Sequence, residues 1–281
     1  MAAEDEYRLA SRRVWDRMAA GWDDRRDWMW EASRAVGRWM VDALEPRPGE
    51  TILELAAGLG DTGFAAAAAL GPGGRLISTD FSAEMVAAAR RHAAELGVAN
   101  AEHRTMDAER IDLEDGSVDG VLCRWGYMLM ADPGAALRET RRVLRDGGRL
   151  AMSVWGDPDR NPWASVPARV IMDHAGGPPP DPEAPGIFAM ASERRTRALL
   201  EGTGLEVRRM ELVELEYTFT SFDDVWTFVR DLAGALALVL SAMPEADRSE
   251  VRSRLIGALE PYRDGTGYTI PGAALNAVAG A

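Results

Sequence analysis

The stretch that decides the fold is Thr51–Gly63, which reads TILELAAGLGDTG. Its first half is an apolar run interrupted by Glu54, which is typical of a buried strand, and its second half is a turn rich in glycine. The alanine-rich segment 65–70 follows at once and favours a helix. Strand, glycine turn and helix open a nucleotide-binding βαβ unit, in which the backbone can approach a ligand and the helix N-terminus offers free N–H groups.

Composition and charge bound the class of protein. The chain has 281 residues, 47% of them hydrophobic and 27% charged, which suits a sizeable core in one large α/β domain with additions or in two domains. Its formal net charge of −13 disfavours a nucleic-acid surface, which needs a basic stripe. Cys123 is the single cysteine, so an internal disulfide is impossible and a structural zinc site is disfavoured.

The N-terminus and the apolar runs bear on localisation. The first residues, MAAEDEYRLASRR, are charged throughout and lack the apolar core of a secretory signal. The longest apolar run, Leu232–Met243, has 12 residues, fewer than the about 20 that a spanning helix needs. We therefore expect a cytoplasmic protein with no metal site, no nucleic-acid partner and no membrane span.

The sequence pattern divides the chain into three segments. Residues 1–45 predict helices with five tryptophans, which either pack as a flap or close over a pocket as a lid. Residues 46–156 alternate strands with helices, which predicts a parallel sheet covered on both faces. Residues 157–281 begin with a proline- and glycine-rich stretch, predicted to be irregular up to residue 190, and continue with cap helices and the last strands of the sheet.

Caps and breakers give the predicted bounds. Ser82 is the predicted N-cap of a helix over 83–96, and Pro133 begins a helix that runs to Arg145. Phe222–Met243 is predicted as one helix, whose apolar spacing suits the core, a cap over a pocket or a dimer face. The predicted strands cover 51–56, 75–79, 101–105, 117–124, 149–154, 204–217 and 268–279.

Polar side chains stand at the ends of the predicted strands. Asp80 ends the second strand, twenty residues after Gly60, where a doubly wound fold places an acid on a ribose; the alternative is a simple helix cap. Asp107 closes the third strand, where it can accept a hydrogen bond from an adenine amino group, and Arg124 closes the fourth. Because the carboxyl ends of parallel strands meet at one edge, these positions converge on one crevice.

Two cofactors suit this outline. A nicotinamide dinucleotide requires a GxGxxG turn around its pyrophosphate, whereas here Glu54 precedes the glycines and Asp61 follows them. A carboxylate repels a pyrophosphate but attracts a sulfonium and an α-ammonium group. The charges therefore favour S-adenosylmethionine (SAM) over a dinucleotide.

Three stretches carry a family resemblance in their order and spacing: LELAAGLGDTG, GGRLISTDFSAEMVAAARR and MDAERIDLEDGSVDGVLCRWGYMLMADPGAALRETRRVLRDGGRLAMSVW. Over residues 51–155 the chain resembles a class I SAM-dependent methyltransferase, most closely the ubiquinone/menaquinone-biosynthesis C-methyltransferase (methyltransferase type 11) group. The resemblance implies an α/β, Rossmann-like fold with a seven-stranded, mostly parallel sheet. To this we add an N-terminal helical lid and a helical C-terminal substrate cap.

The resemblance also implies positions for the cofactor. The residues implied for the methionine moiety are Glu54, Ala56, Gly58 and Gly60. Asp80 is implied for the ribose, with Phe81, Asp107 and Ala108 around the adenine and Arg124 beside the cofactor. The family's turn usually has Thr or Ser where Leu59 stands, and residues 157–281 do not resemble the tail of the quinone enzymes, so the substrate is not implied.

The predicted function is SAM-dependent methyl transfer to the oxygen, nitrogen or carbon of a small apolar or aromatic molecule, with S-adenosylhomocysteine (SAH) as product. An in-line displacement needs a general base only if the acceptor loses a proton, and His174 is the candidate. The substrate-binding candidates are Trp15, Trp22, Tyr127 and Trp155. The alternatives are an NAD(P)-dependent oxidoreductase, and a SAM-binding cyclase or interaction module without methyl transfer; a homodimer is a further expectation.

Overall fold

The computed structural model describes residues 2–176, 181, 184–231 and 235–281. The prolines Pro178–Pro180 of the predicted insertion and Leu232 of the predicted long helix lie outside the described residues. The chain begins with two helices, α1 (Ala2–Asp24) and α2 (Arg26–Leu44). Both lie within the segment for which the sequence predicts helices.

Strands and helices then alternate through the middle of the chain. They are β1 (Thr51–Glu54), α3 (Asp61–Leu70), β2 (Arg75–Asp80), α4 (Ala83–Leu96), β3 (Ala101–Thr105), β4 (Val118–Arg124), α5 (Pro133–Val143) and β5 (Leu144–Trp155). Ser82 caps α4, because its hydroxyl accepts a hydrogen bond of 3.2 Å from the N–H of Met85. The helix that begins at Pro133 ends before the predicted Arg145, because β5 already pairs with β4 at Leu144.

The C-terminal segment is more regular than the sequence predicts. Its elements are α6 (Pro162–Ala175), α7 (Glu193–Gly202), β6 (Glu206–Phe219), α8 (Phe222–Asp231), α9 (Ala235–Ala242), α10 (Glu245–Leu259), β7 (Arg263–Asp264) and β8 (Gly267–Gly280). The prediction of an irregular stretch over 156–190 is wrong for α6. That helix begins with Pro162, whose missing N–H costs nothing at a first helical position, and it also accommodates Pro167.

The predicted helix Phe222–Met243 is divided into α8 and α9. The axes of Phe222–Asp231 and Leu236–Ala242 differ by 94°, so the apolar run does not continue along one face. Within the described residues, no single helix is long and apolar enough to cross a membrane. Helices α8 and α9 meet the requirement for length and composition only as a pair, with the 94° bend between them.

The strands form one sheet with the order β3-β2-β1-β4-β5-β8-β6, and the short β7 pairs with β8 off this path. Strands β1 to β5 are parallel, while β8 runs antiparallel between β5 and β6. The predicted seven-stranded, mostly parallel sheet is confirmed. Its strand order reverses between β1 and β4, and open α/β sheets bind ligands at the carboxyl ends of the strands at such a switch point.

An aromatic cluster joins α2 and α8 to the last strands. Trp28 of α2 lies 5.6 Å from Tyr217 and 5.3 Å from Phe219 of β6, between ring centroids, and 5.7 Å from Phe228 of α8. Full burial of one such side chain stabilises the fold by roughly 1.5–3 kcal/mol. The C-terminal helices are therefore fixed against α2 and the sheet.

Candidate functional site

A pocket opens at the carboxyl ends of β1 to β4, beneath α1. Its volume is about 1090 Å³ with its open mouth included, and its lining runs from Tyr7 to Ala131. No described residue of 157–281, the segment for which the sequence predicts a substrate cap, belongs to that lining. Helices α6 and α8 pack against β8 instead, and Trp163 of α6 and Phe228 of α8 are buried.

The three glycines of the turn after β1 have different structural roles. Gly58 has a φ of 55°, and no protein atom lies within 4 Å of the place where a Cβ would stand, so this backbone faces the open pocket. A Cβ at Gly60 would collide with the ring of Phe64, and one at Gly63 would collide with the carboxyl group of Glu54. Gly60 is therefore required for packing. It does not line the pocket, although the sequence predicts it beside the methionine moiety.

Glu54 is turned away from the pocket. Its side chain is 3% exposed, and its Oε1 and Oε2 accept hydrogen bonds from the N–H of Gly63 at 2.7 Å and the hydroxyl of Ser78 at 3.2 Å. Burial raises the pKa of the Glu54 carboxyl to about 8. Although the sequence predicts Glu54 beside the methionine moiety, its side chain does not line the pocket, because it lies under the first turn of α3. Ala56 does line the pocket, with a left-handed φ of 49°.

Asp80 is a preorganised acceptor at the end of β2. Its Oδ2 accepts a hydrogen bond of 3.0 Å from the N–H of Gly58, and its Oδ1 accepts one of 2.9 Å from the N–H of Ser82. Burial raises the pKa of this carboxyl to about 6. Because each carboxylate oxygen has a further lone pair, Asp80 can bind the turn and a pair of ribose hydroxyls together. The side chain lines the pocket, as the predicted ribose role requires.

The neighbouring wall is apolar with one carboxylate. Phe81, Met85 and Ala108 line the pocket together with Asp107, whose Oδ1 accepts a hydrogen bond of 2.9 Å from the N–H of Glu109. Apolar faces beside a fixed acceptor suit a flat ring that carries an amino group. The predicted cofactor residues that the structure brings together are Ala56, Gly58, Asp80, Phe81, Asp107, Ala108 and Arg124.

Arg124 reaches the pocket from the end of β4. Its Nε donates a hydrogen bond of 2.9 Å to Oγ1 of Thr62, and its guanidinium carbon lies 4.7 Å from the centre of the Trp125 ring. Burial lowers the pKa of Arg124, and burial raises the pKa of Asp61, which also lines the pocket. The sequence presents Asp61 only as a charge beside the turn; its place in the pocket comes from the structure.

Helix α1, which belongs to the segment predicted as a lid, lines the pocket. The hydroxyl of Tyr7 donates a hydrogen bond of 2.9 Å to the carbonyl of Leu129, and the guanidinium of Arg8 pairs with the buried carboxylate of Glu109. All four side chains line the pocket. Sequence reasoning missed Arg8, since its partner lies 101 residues away in the chain and no local pattern connects them.

The predicted substrate aromatics divide into two groups. Trp15 and Trp22 line the pocket and meet edge to face, with ring centroids 5.7 Å apart. Tyr127 is fully buried and shares a hydrogen bond of 2.6 Å with Thr140, outside the lining. Trp155 is also buried outside it, so these two substrate roles are not supported. The lining instead contains Trp125, whose position directly after Arg124 was the available signal.

His174 lies outside the pocket. It belongs to α6, where its Nε2 is 3.5 Å from Asp247 and its Nδ1 is 3.8 Å from Glu250, both on α10. The acidic residues of α10 attract this side chain to the contact between two C-terminal helices. The structure therefore does not support His174 as the general base.

Comparisons with known proteins relate the chain to methyltransferases. Residues 46–165 match the family model described as a methyltransferase domain. A demethylmenaquinone methyltransferase of Beutenbergia cavernae is 38% identical over 131 residues, which are 47% of this chain and 50% of that protein. A ubiquinone/menaquinone biosynthesis C-methyltransferase of Caulobacter vibrioides is 34% identical over 167 residues, covering 55% of this chain and 64% of that protein. The chain thus spans half to less than two thirds of these curated relatives' length.

Solved structures share the fold. A putative methyltransferase of Bacillus halodurans superposes with a TM-score of 0.60 at 17% identity, covering 87% of this chain and 97% of that one. Residues 46–165 match a methyltransferase domain, and the fold and the glycine turn around them are similar to those of class I, Rossmann-like SAM-dependent methyltransferases. Within that class the chain resembles the ubiquinone/menaquinone C-methyltransferases over part of its length. SAM is the cofactor of the class.

Proposed function

We propose that this protein transfers the methyl group of SAM to a small molecule. The observation that carries the proposal is the geometry around Gly58: an open backbone position faces the pocket, and its N–H is bonded to the Asp80 carboxylate. Backbone that no side chain covers, beside an acceptor for ribose hydroxyls, suits an adenosine compound. This arrangement stands at the switch point of the sheet.

The charges around the turn support SAM over a dinucleotide. Asp61 and Asp80 both line the pocket next to the glycine turn, where a dinucleotide would place its pyrophosphate. Two carboxylates oppose a pyrophosphate but favour a sulfonium and an ammonium group. The oxidoreductase alternative is therefore disfavoured by the same residues that suit SAM.

The proposed acceptor is apolar or aromatic. Four large apolar residues are among those that line the pocket: Trp22, Trp30, Trp125 and Met130. SAM supplies an activated methyl group, so the protein's part is to align the acceptor behind that group and to exclude water. Helix α1 would exclude water by covering the pocket, where Tyr7 holds it through the hydrogen bond to Leu129. Relatives are named as C-, O- and arsenite methyltransferases, so the acceptor atom stays open.

Calorimetric titration with SAM, SAH and NADH tests the cofactor. We expect micromolar binding of the two sulfur compounds and none of NADH. Asp80→Ala should weaken SAH binding by roughly 10- to 100-fold, since it removes hydrogen bonds to a charged group. The matched control is Asp132→Ala, because Asp132 caps α5 outside the pocket through a 2.9 Å bond to the N–H of Ala135.

The results separate the alternatives. If neither sulfur compound binds, the methyltransferase proposal fails. If SAM binds but a panel of phenol, quinol and amine acceptors never yields SAH, a cyclase or interaction module takes its place. If Asp80→Ala and Asp132→Ala lose SAH affinity equally, Asp80 acts only as a structural cap.

A further inference from the structure

Trp125 has a conformation that its residue type disfavours. Its φ is 59°, in the left-handed region, and its N–H is held by a hydrogen bond of 2.8 Å to the carbonyl of Ser153 on β5. A bulky residue persists in this region only where its surroundings enforce it, and such positions concentrate at ligand sites. The side chain lines the pocket and is 8% exposed.

The indole ring of Trp125 packs against two neighbouring side chains. The Trp155 ring stacks on one side with a centroid distance of 4.1 Å and an interplanar angle of 19°. The Arg124 guanidinium carbon lies 4.7 Å from the ring centre. A ring fixed in this way gives its Nε1–H a defined direction.

Two indole donors and one cation in this pocket are candidates for binding an acceptor group. The Nε1 atoms of Trp22 and Trp125 are both buried with no hydrogen-bond partner in the described part of the chain. An indole nitrogen can only donate, and a buried donor without a partner is costly. Arg124 is bonded through Nε to Thr62, and no ion pair of its guanidinium is found among the described residues. A group that satisfies the two indole donors must accept hydrogen bonds, and beside Arg124 it also meets a positive charge that Asp61 and Glu54 stabilise only from outside hydrogen-bond distance.

We propose that Arg124, Trp125 and Trp22 form a subsite for an anionic oxygen, a carboxylate or a phenolate, of the methyl acceptor. This inference rests on the proposed methyl transfer. The subsite follows β4, across the switch point from Asp80 and Asp107 at the ends of β2 and β3. The aromatic wall around it suits the ring to which such an oxygen is attached. The same chemistry occurs in the α-carboxylate of SAM, and the test separates the two sources.

The experiment compares the full chain with its Trp125→Phe variant, which keeps an aromatic ring but lacks the donor. Calorimetry measures binding of benzoate, salicylate, 1-naphthoate and 4-nitrophenol, with toluene and naphthalene as neutral counterparts, in the presence and absence of SAH. We expect wild type to prefer an anion over its neutral counterpart. The variant should bind that anion about tenfold more weakly, with SAH affinity unchanged.

Trp163→Phe is the matched control. Trp163 belongs to the same aromatic group, 4.7 Å from Trp155, but its Nε1 is bonded to Asn161 and it does not line the pocket. This variant should keep the anion preference. Should Trp125→Phe fail to fold, Trp22→Phe removes the second donor and replaces it in the test.

Three results would overturn the subsite. One is a wild type with no preference for any anion. Another is an anion affinity that neither donor variant changes. The third is that Trp125→Phe binds SAH more weakly but binds 5′-methylthioadenosine as wild type does. That result would assign the donors to the α-carboxylate of the cofactor. Titrations without SAH measure the subsite even if SAM binding, and with it the proposed function, fails.

Discussion

The backbone N–H of Gly63 donates a hydrogen bond of 2.7 Å to Oε1 of Glu54, which joins the first turn of α3 to the end of β1. The contact is close because Gly63 has no side chain: a Cβ there would overlap the Glu54 carboxyl group. The last glycine of the turn and the acid that precedes the turn are thus one packing unit. Neither lines the ligand pocket.

Gly63→Ala should destabilise the fold. The added methyl group would displace the Glu54 carboxylate or α3, and overpacking of this kind costs roughly 1–3 kcal/mol in free energy of unfolding. Urea denaturation measures the change. The control is Gly257→Ala in α10, where no atom lies within 4 Å of the new Cβ and helix propensity predicts a gain of up to about 1 kcal/mol. Equal stability of the two variants would contradict the packing role.

Glu54 should make stability depend on pH. Its folded-state pKa of about 8 lies above the ordinary value, so the folded protein binds more protons than the unfolded chain between the two values. Stability therefore falls as pH rises through this window, by at most about 1.4 kcal/mol per pH unit, and levels off above pH 8. Asp80 also makes stability fall as pH rises, but only below its pKa of about 6. The change in stability from pH 6.5 to 8.5 therefore measures the contribution of Glu54.

Glu54→Gln supplies the comparison. Glutamine resembles the protonated acid and keeps an oxygen for the N–H of Gly63, so the variant should lose less stability than wild type between pH 6.5 and 8.5. Urea denaturation at both pH values gives the difference. Parallel curves for the two proteins would show that Glu54 is ionised in the folded state throughout.

Gly58→Ala should abolish SAM binding while leaving a folded protein. Its Cβ would enter the pocket and not the core, and the positive φ of 55° adds a strain of roughly 1–2 kcal/mol. Gly97→Ala is the matched control, with a φ of 70°, open space and a place at the end of α4. The two variants should lose similar stability, but only Gly58→Ala should lose SAH binding in calorimetry. Full SAH affinity in Gly58→Ala would place the cofactor elsewhere.

Arg8→Gln should loosen the lid. It removes the pairing with Glu109, whose carboxylate is left with the N–H groups of Ala131 and Asp132. We expect hydrogen exchange in α1 to rise about tenfold, the equivalent of about 1.4 kcal/mol, with faster release of SAH. Arg13→Gln, at an exposed position of the same helix, is the control. Unchanged exchange in Arg8→Gln would mean that this pair does not hold the lid.

Local signals predicted much of the fold. The strand over 101–105 and the helix over 83–96 have the predicted bounds. The helix bounds are set locally, because Ser82 caps its first turn and Gly97 follows its last residue. The failures came where contacts between distant residues override local preference. Pro162 and Pro167 predict a break, yet α6 forms because its apolar face is buried against β8. The long apolar run after Phe222 predicts one helix, whereas the axes of its two described helices differ by 94°.

The sequence by itself determined that a glycine turn, the carboxylate of Asp80 and further strand-end residues meet at one edge of a parallel sheet. Strand ends follow from periodicity, and parallel strands have their carboxyl ends at the same edge. It did not determine which of these side chains point into the crevice. Only the tertiary structure placed Glu54 beneath α3 and Tyr127 in the core, and brought Arg8 and Trp125 into the pocket. The direction of a side chain at a strand end depends on the helices that pack over it, and those contacts are made by residues far apart in the chain.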